Sequence, residues 1–227
     1  MSKPNYLQHE DQYRFLRENA HSGWGGESLE QRMLGWKTTA DALMASSHFP
    51  KCGAQILELG SGAGDSLIPF AEAGYRVTGI EISPTAVNWA QEKFKERKLS
   101  GNFVLGNIPD GLPFGGSTFD AVLDAACLHC LIGNDLNRTL VQVSKVLKPS
   151  GFFLVSHMVN DPRELSPGMV FNSETRVQEK DGVPYRSMPT LTGLNELLRL
   201  AGFEIIHQEI RQNSWWDHAE IWCRRLA

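Results

Sequence analysis

Apolar and polar positions alternate in blocks along the chain, and these blocks predict its strands and helices. Short apolar runs typical of buried strands lie at residues 55–59, 75–80, 102–105, 119–124 and 152–157. Between them, apolar residues at three-to-four spacing predict helices over residues 65–73, 83–98 and 136–147. Strands separated by helices of crossover length predict an α/β fold, with a mostly parallel sheet covered by helices on both faces.

The two ends of the chain depart from this alternation. Residues 5–19 and 29–46 predict two helices, and Pro50 and Gly53 then mark a boundary, so we expect a helical N-terminal extension over residues 1–50 and one domain over residues 51–227. Near the other end, a helix over residues 190–201 precedes strand-like runs at residues 203–210 and 219–224. The short link between these runs permits a hairpin, which predicts at least one antiparallel strand.

Residues 160–189 form a polar, Pro-punctuated insertion before that last helix. The segment shows no clear periodicity, and we expect it to be irregular. A long insertion with little structure in a compact domain is often a lid or a binding loop.

Composition narrows the function classes. The formal net charge of the 227 residues is −4, which gives no reason to expect a nucleic-acid partner. No run approaches the roughly 20 apolar residues that span a bilayer, and the polar N-terminus predicts neither a signal peptide nor a membrane anchor. Four scattered cysteines make a poor disulfide framework, so we expect a reducing, cytoplasmic setting.

A glycine-spaced turn follows the first predicted strand, in the order Glu58-Leu59-Gly60-Ser61-Gly62-Ala63-Gly64. Glycines there let the backbone approach a ligand that a Cβ would exclude, and the start of the next helix offers free N–H groups. Alone, this pattern indicates only some nucleotide site or a tight turn. Glu81, about 20 residues on at the end of the second strand, stands where an acid can bind ribose hydroxyls. The E-x-G-x-G-x-G order differs from the G-x-G-x-x-G of dinucleotide enzymes.

Two longer stretches carry a family resemblance. The segment ILELGSGAGDSLIPFAEAGYRVTGIEIS resembles the first two motifs of class I S-adenosylmethionine (SAM)-dependent methyltransferases. The later GNIPDGLPFGGSTFDAVLDAACLHC and VSKVLKPSGFFLVS are similar to that family's remaining core motifs. The resemblance covers residues 55–157 and implies a Rossmann-like, seven-stranded sheet whose last strand is antiparallel, in agreement with the predicted hairpin.

The resemblance also implies SAM as cofactor, S-adenosylhomocysteine as its product, and a set of binding residues. In that family pattern Glu58 and the glycines shape the methionine end of the site, Glu81 binds the ribose and Ile82 contacts the adenine. Asn107 stands where the family often has Asp, and its amide oxygen can still accept from the adenine amino group. The full set is Glu58, Gly60, Ser61, Gly62, Gly64, Glu81, Ile82, Asn107, Ile108, Asp124 and Ala125, the last two at the point where cofactor and acceptor meet.

The acceptor side is less determined. His129 follows the fourth strand and is the first candidate for a general base, with His157 at the end of the fifth strand as the second; a structural role is an equal alternative for either. Trp24, His21, Cys127 and Trp215 are candidate substrate-side residues. Cys127 and Cys130 lack a second cysteine pair at zinc-site spacing, so no metal is predicted.

These observations favour an enzyme that transfers the methyl group of SAM to a small-molecule acceptor by in-line displacement, acting as a monomer or homodimer. A peptide or protein methyltransferase is the second hypothesis, because the insertion could form a groove instead of a lid. A SAM-binding regulatory protein without catalysis is the third. The chain has Asp124-Ala125-Ala126-Cys127 where methylases of nucleic-acid amino groups carry an NPPY-type tetrapeptide.

Overall fold

The main sheet contains seven strands within residues 4–227, the part of the chain that the computed structural model describes. Its strands are β1 Gln55–Leu59, β2 Arg76–Glu81, β3 Gly101–Leu105, β4 Phe119–Asp124, β5 Leu147–Val159, β9 Phe203–Gln212 and β10 Asp217–Arg225. Their order is β3-β2-β1-β4-β5-β10-β9. The first five strands pair in parallel, and β10 runs antiparallel to both of its neighbours. This confirms the predicted sheet and its antiparallel C-terminal strand.

Helices cover both faces of this sheet. They are α1 His9–Glu18, α2 Leu29–Ala45, α3 Ile68–Glu72, α4 Pro84–Glu96, α5 Asn134–Val146 and α6 Leu191–Leu200. Alternate strand residues enter two apolar cores: Leu57 and Leu59 pack with residues of α5 and α6, whereas Ile56 packs with residues of α2, α3 and α4. Both faces of β1 are therefore buried, which explains why Ile56, Leu57 and Leu59 are all apolar.

Local signals set two of the helix starts. The Ser83 side chain accepts from the Ala86 N–H at 3.0 Å and Pro84 occupies the first helical position, so α4 begins directly after β2. The Thr190 side chain caps α6 in the same way, through the Gly193 N–H at 3.0 Å. Where a parallel strand leads directly into a helix, the carboxyl end of the strand and the N-terminus of the helix lie side by side. Polar ligands of α/β folds bind at this edge of the sheet.

The insertion is a second sheet, and the expectation of an irregular segment is wrong. The strands β6 Met169–Asn172, β7 Val177–Lys180 and β8 Val183–Ser187 form an antiparallel sheet in the order β6-β7-β8. Asp181 and Gly182, both with positive φ, are the two residues between β7 and β8. Asp-Gly is a strong signal for such a turn, but strands of four or five residues with mixed faces show too little periodicity to stand out.

The N-terminal helices are fixed to the main sheet by polar contacts. Glu10 of α1 accepts from the Ser83 hydroxyl at 2.6 Å and from the Thr85 hydroxyl at 2.7 Å, both at the start of α4. Trp36 of α2 donates its indole N–H to the Ser66 carbonyl at 2.8 Å. The extension thus packs over the carboxyl edge of β1 and β2. Among residues 4–227, no helix is both long enough and apolar enough to cross a membrane.

Candidate active site

A cavity of about 820 Å³ lies at the carboxyl edge of the sheet, beneath the N-terminal helices. Its wall combines the turn after β1, the ends of β2, β4 and β5, the second sheet and the loop between β9 and β10. Ligands of open α/β sheets bind at this edge. The positions of the predicted cofactor and acceptor residues can therefore be compared with the wall of this one cavity.

The turn after β1 takes a shape that requires glycine. Gly60 and Gly62 have φ values of +61° and +52°, which side chains rarely adopt. A Cβ on Gly60 would lie 2.7 Å from the Cys127 sulfur, and one on Gly62 would overlap the Tyr13 hydroxyl. The side chains of Cys127 and Tyr13, which also line the cavity, therefore pack directly against this turn.

Glu81 supports this turn from the end of β2. One of its carboxylate oxygens accepts from the Gly62 N–H at 3.0 Å, and the other accepts from the Ser83 N–H at 3.0 Å. Burial raises the pKa of the Glu81 carboxyl, and the two N–H donors act in the opposite direction. A carboxylate oxygen has two lone pairs, so each oxygen retains the capacity to accept from a ligand hydroxyl.

Two buried polar atoms beside the turn have no partner within residues 4–227: the second carboxylate oxygen of Glu58 and the hydroxyl of Ser61. The first oxygen of Glu58 accepts from the Ser66 hydroxyl. Burial raises the pKa of the Glu58 carboxyl well above its ordinary value. Unpartnered buried acceptors are costly, and a ligand ammonium would satisfy both of these atoms.

The opposite end of this half of the cavity is apolar. Ile82 and Ile108 line the cavity, and Asn107 contributes to the same wall. The Asn107 side-chain N–H donates to Asp110 at 2.9 Å, and its amide oxygen has lone pairs that can accept from a ligand amino group. Two isoleucines and an amide oxygen suit a planar base with an exocyclic amino group.

Asp124 is buried beneath the cavity wall and does not line it. Its carboxylate accepts N–H bonds from Ala126 at 3.2 Å, Cys127 at 2.7 Å and Leu128 at 3.0 Å, and from Ser156 at 3.2 Å on β5. Burial raises the pKa of the Asp124 carboxyl to about 6, although these hydrogen bonds act to lower it. Asp124 therefore shapes the loop after β4, and the adjacent Ala125 forms the wall.

The two candidate bases lie differently. His129 lines the cavity and its Nδ1 is buried without a partner among the residues described. Burial, and next the charge of Arg186, lower its pKa well below the ordinary value, so the imidazole is neutral. His157 is fully buried and absent from the wall; its Nδ1 donates to the Met158 carbonyl at 2.7 Å. Because side chains alternate on a strand, Ser156 and Met158 face the cavity and His157 faces away.

The predicted substrate-side residues also divide. Trp24, Cys127 and Trp215 line the cavity, whereas His21 does not. The Trp24 ring packs on His9 and Tyr13, with ring centroids 4.7 and 5.0 Å apart. These aromatic rings form the roof over the turn.

Several wall residues were not predicted. His9 and Tyr13 are four residues apart on one face of α1, and an amphipathic helix with two polar aromatics on one face was the signal that could have found them. His218, whose Nε2 lies 2.7 Å from the Ser156 hydroxyl, comes from β10. Arg186 of β8 gave no sequence signal, because the insertion was expected to be irregular.

No cluster of three potential metal ligands occurs in residues 4–227, and all four cysteines there are free thiols. Cys127 and Cys130 both contribute to the cavity wall.

A family profile described as a methyltransferase domain matches residues 56–151. The O-methyltransferase rstn1 of Aspergillus nomiae is 30% identical over 71% of this chain and 70% of that protein. The structure of the cyclase SpnF is similar over the whole chain and 98% of that protein, with a TM-score of 0.72 at 19% identity. The 1,6-didemethyltoxoflavin-N1-methyltransferase of Burkholderia thailandensis, solved with S-adenosylhomocysteine bound, matches 98% of this chain and 87% of its own, with a TM-score of 0.70 at 22% identity.

Proposed function

The chain belongs to the class I SAM-dependent methyltransferases, and on that premise we propose that it methylates a small molecule held in the cavity at the carboxyl edge of its sheet. The observation that carries this proposal is the continuity of the cavity. The same cavity is lined by the glycine turn, Glu58 and Glu81 and also by His129, Arg186 and several aromatic side chains.

The residues of the cofactor half fit SAM. The unpartnered oxygen of Glu58 suits the amino group of its methionine part, the carboxylate of Glu81 suits the ribose hydroxyls, and Asn107 with its flanking isoleucines suits the adenine. Gly60, Ser61 and Gly62 line the cavity and would leave room for the methionine part of SAM. Gly64, also predicted to bind the cofactor, does not line the cavity; it packs towards Ala90 and Phe103 in the core. When bound, SAM supplies an electrophilic methyl group on a sulfonium.

Transfer then depends on alignment. Bound in the cofactor half, SAM would supply its methyl group to the aligned acceptor atom by in-line displacement and leave as S-adenosylhomocysteine. Holding the two reactants in line lowers the activation free energy by on the order of 7 kcal/mol or more. His129 lies on the wall as a neutral imidazole and can take a proton from an acceptor that carries one.

The cavity wall supports a small acceptor over a peptide. Two structures border the cavity. One is the roof formed by Tyr13 and Trp24, and the other is the second sheet, which contributes Tyr185. A protein substrate would require an extended groove along the surface, and an ordered sheet against the cavity suits a lid.

The distribution of transferred label tests this proposal. The protein is incubated with methyl-tritiated SAM and a cell lysate, and the products are separated by size. We expect tritium in the small-molecule fraction. Label confined to protein or nucleic acid would show that the acceptor is a macromolecule. If no fraction gained enzyme-dependent label, the chain would be a SAM-binding protein without methyltransferase activity.

A further inference from the structure

Three arginines line the cavity, and they differ in their partners. Arg211 is paired, with nitrogen–oxygen distances of 3.1 Å to Glu220 and 3.6 Å to Glu209. Arg32 is exposed and lies against the loop that carries Trp24, 3.5 Å from the Trp24 carbonyl. Arg186 is half-buried, and no carboxylate of the described chain lies within 4.0 Å of its guanidinium.

The contacts that Arg186 does make hold it in place without neutralising it. Its Nη1 donates to the Tyr185 carbonyl at 2.9 Å and to the Cys130 sulfur at 3.4 Å. The guanidinium carbon lies 3.9 Å from the centre of the Tyr185 ring, a cation–π arrangement. Nε and Nη2 have no partner among the described residues and present three further N–H donors.

This cation contacts the loop after β4, which borders the glycine turn. Its contact Cys130 is three residues from Cys127, whose sulfur approaches the Gly60 turn. His129 lies between these cysteines on the same short loop and lines the cavity. One loop therefore connects Arg186 to the methionine end of the SAM site.

The carboxylates on the cavity wall leave Arg186 available. Glu58 and Glu81 belong to the cofactor half, Asp65 is paired with Lys93 at 2.6 Å, and Glu220 is paired with Arg211. The remaining one, Glu164, is exposed. A positively charged acceptor would meet an uncompensated guanidinium, whereas an oxyanion would form charge-assisted hydrogen bonds with it.

We propose, on the basis of the proposed function, that the methyl acceptor carries an oxyanion, a carboxylate or an ionised phenol or enol, which binds the guanidinium of Arg186. A planar guanidinium matches two oxygens better than a lysine ammonium does. Trp215 and Trp216 line the same cavity and suit a flat apolar body attached to that oxyanion.

The same contact bears on His129. The charge of Arg186 is, after burial, the largest cause of the lowered pKa of that imidazole. An oxyanion on Arg186 offsets this charge, so the acceptor itself makes His129 a better proton acceptor for a second, protonated group.

Calorimetric titration of the S-adenosylhomocysteine-loaded protein tests the proposal with two matched probe pairs. Benzoate is compared with benzamide, and 4-nitrophenolate with nitrobenzene. We expect the anion of at least one pair to bind roughly tenfold more tightly than its neutral partner. A benzoate preference identifies a carboxylate, and a nitrophenolate preference that grows as the pH rises through the pKa of that phenol identifies an ionised hydroxyl.

Substitutions assign the preference to Arg186. R186Q is expected to abolish it, R186K to retain part of it, and R32Q, which removes the exposed cavity arginine, to retain all of it. Should R186Q fail to fold, the wild-type comparison and R186K still decide. A wild-type protein that prefers neither anion overturns the proposal, as does an R186Q variant that keeps the full preference. S-adenosylhomocysteine binding is measured separately, and its absence would instead contradict the proposed function.

Discussion

The Tyr13 hydroxyl lies against Gly62, so closely that any side chain at position 62 would overlap it. Tyr13 belongs to α1 of the N-terminal extension, and Gly62 belongs to the turn after β1. The relationship joins the extension to the cofactor half of the cavity, and the roof and the turn are expected to respond together to substitution.

Gly62→Ala should weaken SAM binding and destabilise the protein. The left-handed backbone there costs an alanine about 1–2 kcal/mol, and the added methyl group also displaces Tyr13 from the roof. Gly53→Ala is the matched control, because Gly53 has φ +87° with open space around it. Calorimetry with SAM and thermal melting should show destabilisation in both variants and a loss of SAM affinity only in the first. Equal SAM affinity in the two would mean that the roof does not shape the site.

Glu10→Ala should release α1. The Glu10 carboxylate accepts from Ser83 and Thr85, and although partial burial opposes them, these bonds and one from Arg14 lower its pKa to about 2. The Glu10 carboxylate is therefore ionised throughout the neutral pH range, and its hydrogen bonds anchor α1 there. We expect faster proteolytic cleavage in residues 19–26 and a raised KM for SAM, with the core melting temperature little changed. Asp11→Ala, an exposed acid on the same helix, serves as control; identical behaviour of the two variants would exclude this anchor.

The buried histidines predict acid sensitivity. Burial lowers the pKa of His9, His157 and His218 to about 4 from an ordinary 6.5, so these side chains bind fewer protons when folded. Their neutral state stabilises the fold above pH 6.5, and this contribution is lost as the pH falls towards 4. Urea unfolding across that window should show a steep decline in stability. His157→Gln should reduce proton uptake on unfolding by about one; an unchanged pH slope would contradict the assignment.

His129 and His157 should differ in their effect on turnover. His129→Ala is expected to lower kcat by roughly 10²-fold if the acceptor carries a proton, with SAM affinity preserved. His157→Gln, which changes a histidine outside the cavity wall, should leave kcat within a few fold once its stability is matched by temperature. Steady-state kinetics on both variants separate the two. A larger kcat loss in the His157 variant would reverse the assignment.

Much of the fold could be predicted because its signals are local and strong. Both faces of β1 are buried, and its apolar run followed by the glycine turn is unambiguous. The antiparallel β10 followed from the short link to β9. The second sheet was missed because its strands are short and partly polar, and only Asp181 and Gly182 signalled it.

The candidate site was predicted unevenly for a physical reason. The cofactor half is formed by the residues that follow β1, β2, β3 and β4, strands whose order along the chain the sequence shows, so sequence spacing carries its geometry. The acceptor half combines α1, β5, β8 and β10, which only tertiary packing brings together. Strand alternation in β5 turns His157 away from the cavity, whereas His129, on the loop after β4, lines it. Arg186 joins the site through a segment that was expected to be irregular.

Mass spectrometry of a reaction with SAM deuterated on its methyl group tests the central claim most directly. The protein is incubated with this cofactor and a low-molecular-mass cell extract, with Glu81→Ala as the matched variant that loses the ribose-binding carboxylate. We predict a small molecule that gains one deuterated methyl group, S-adenosylhomocysteine in equal amount, and neither product with the variant. SAM consumption without a methylated small molecule, or equal product from Glu81→Ala, would contradict the account.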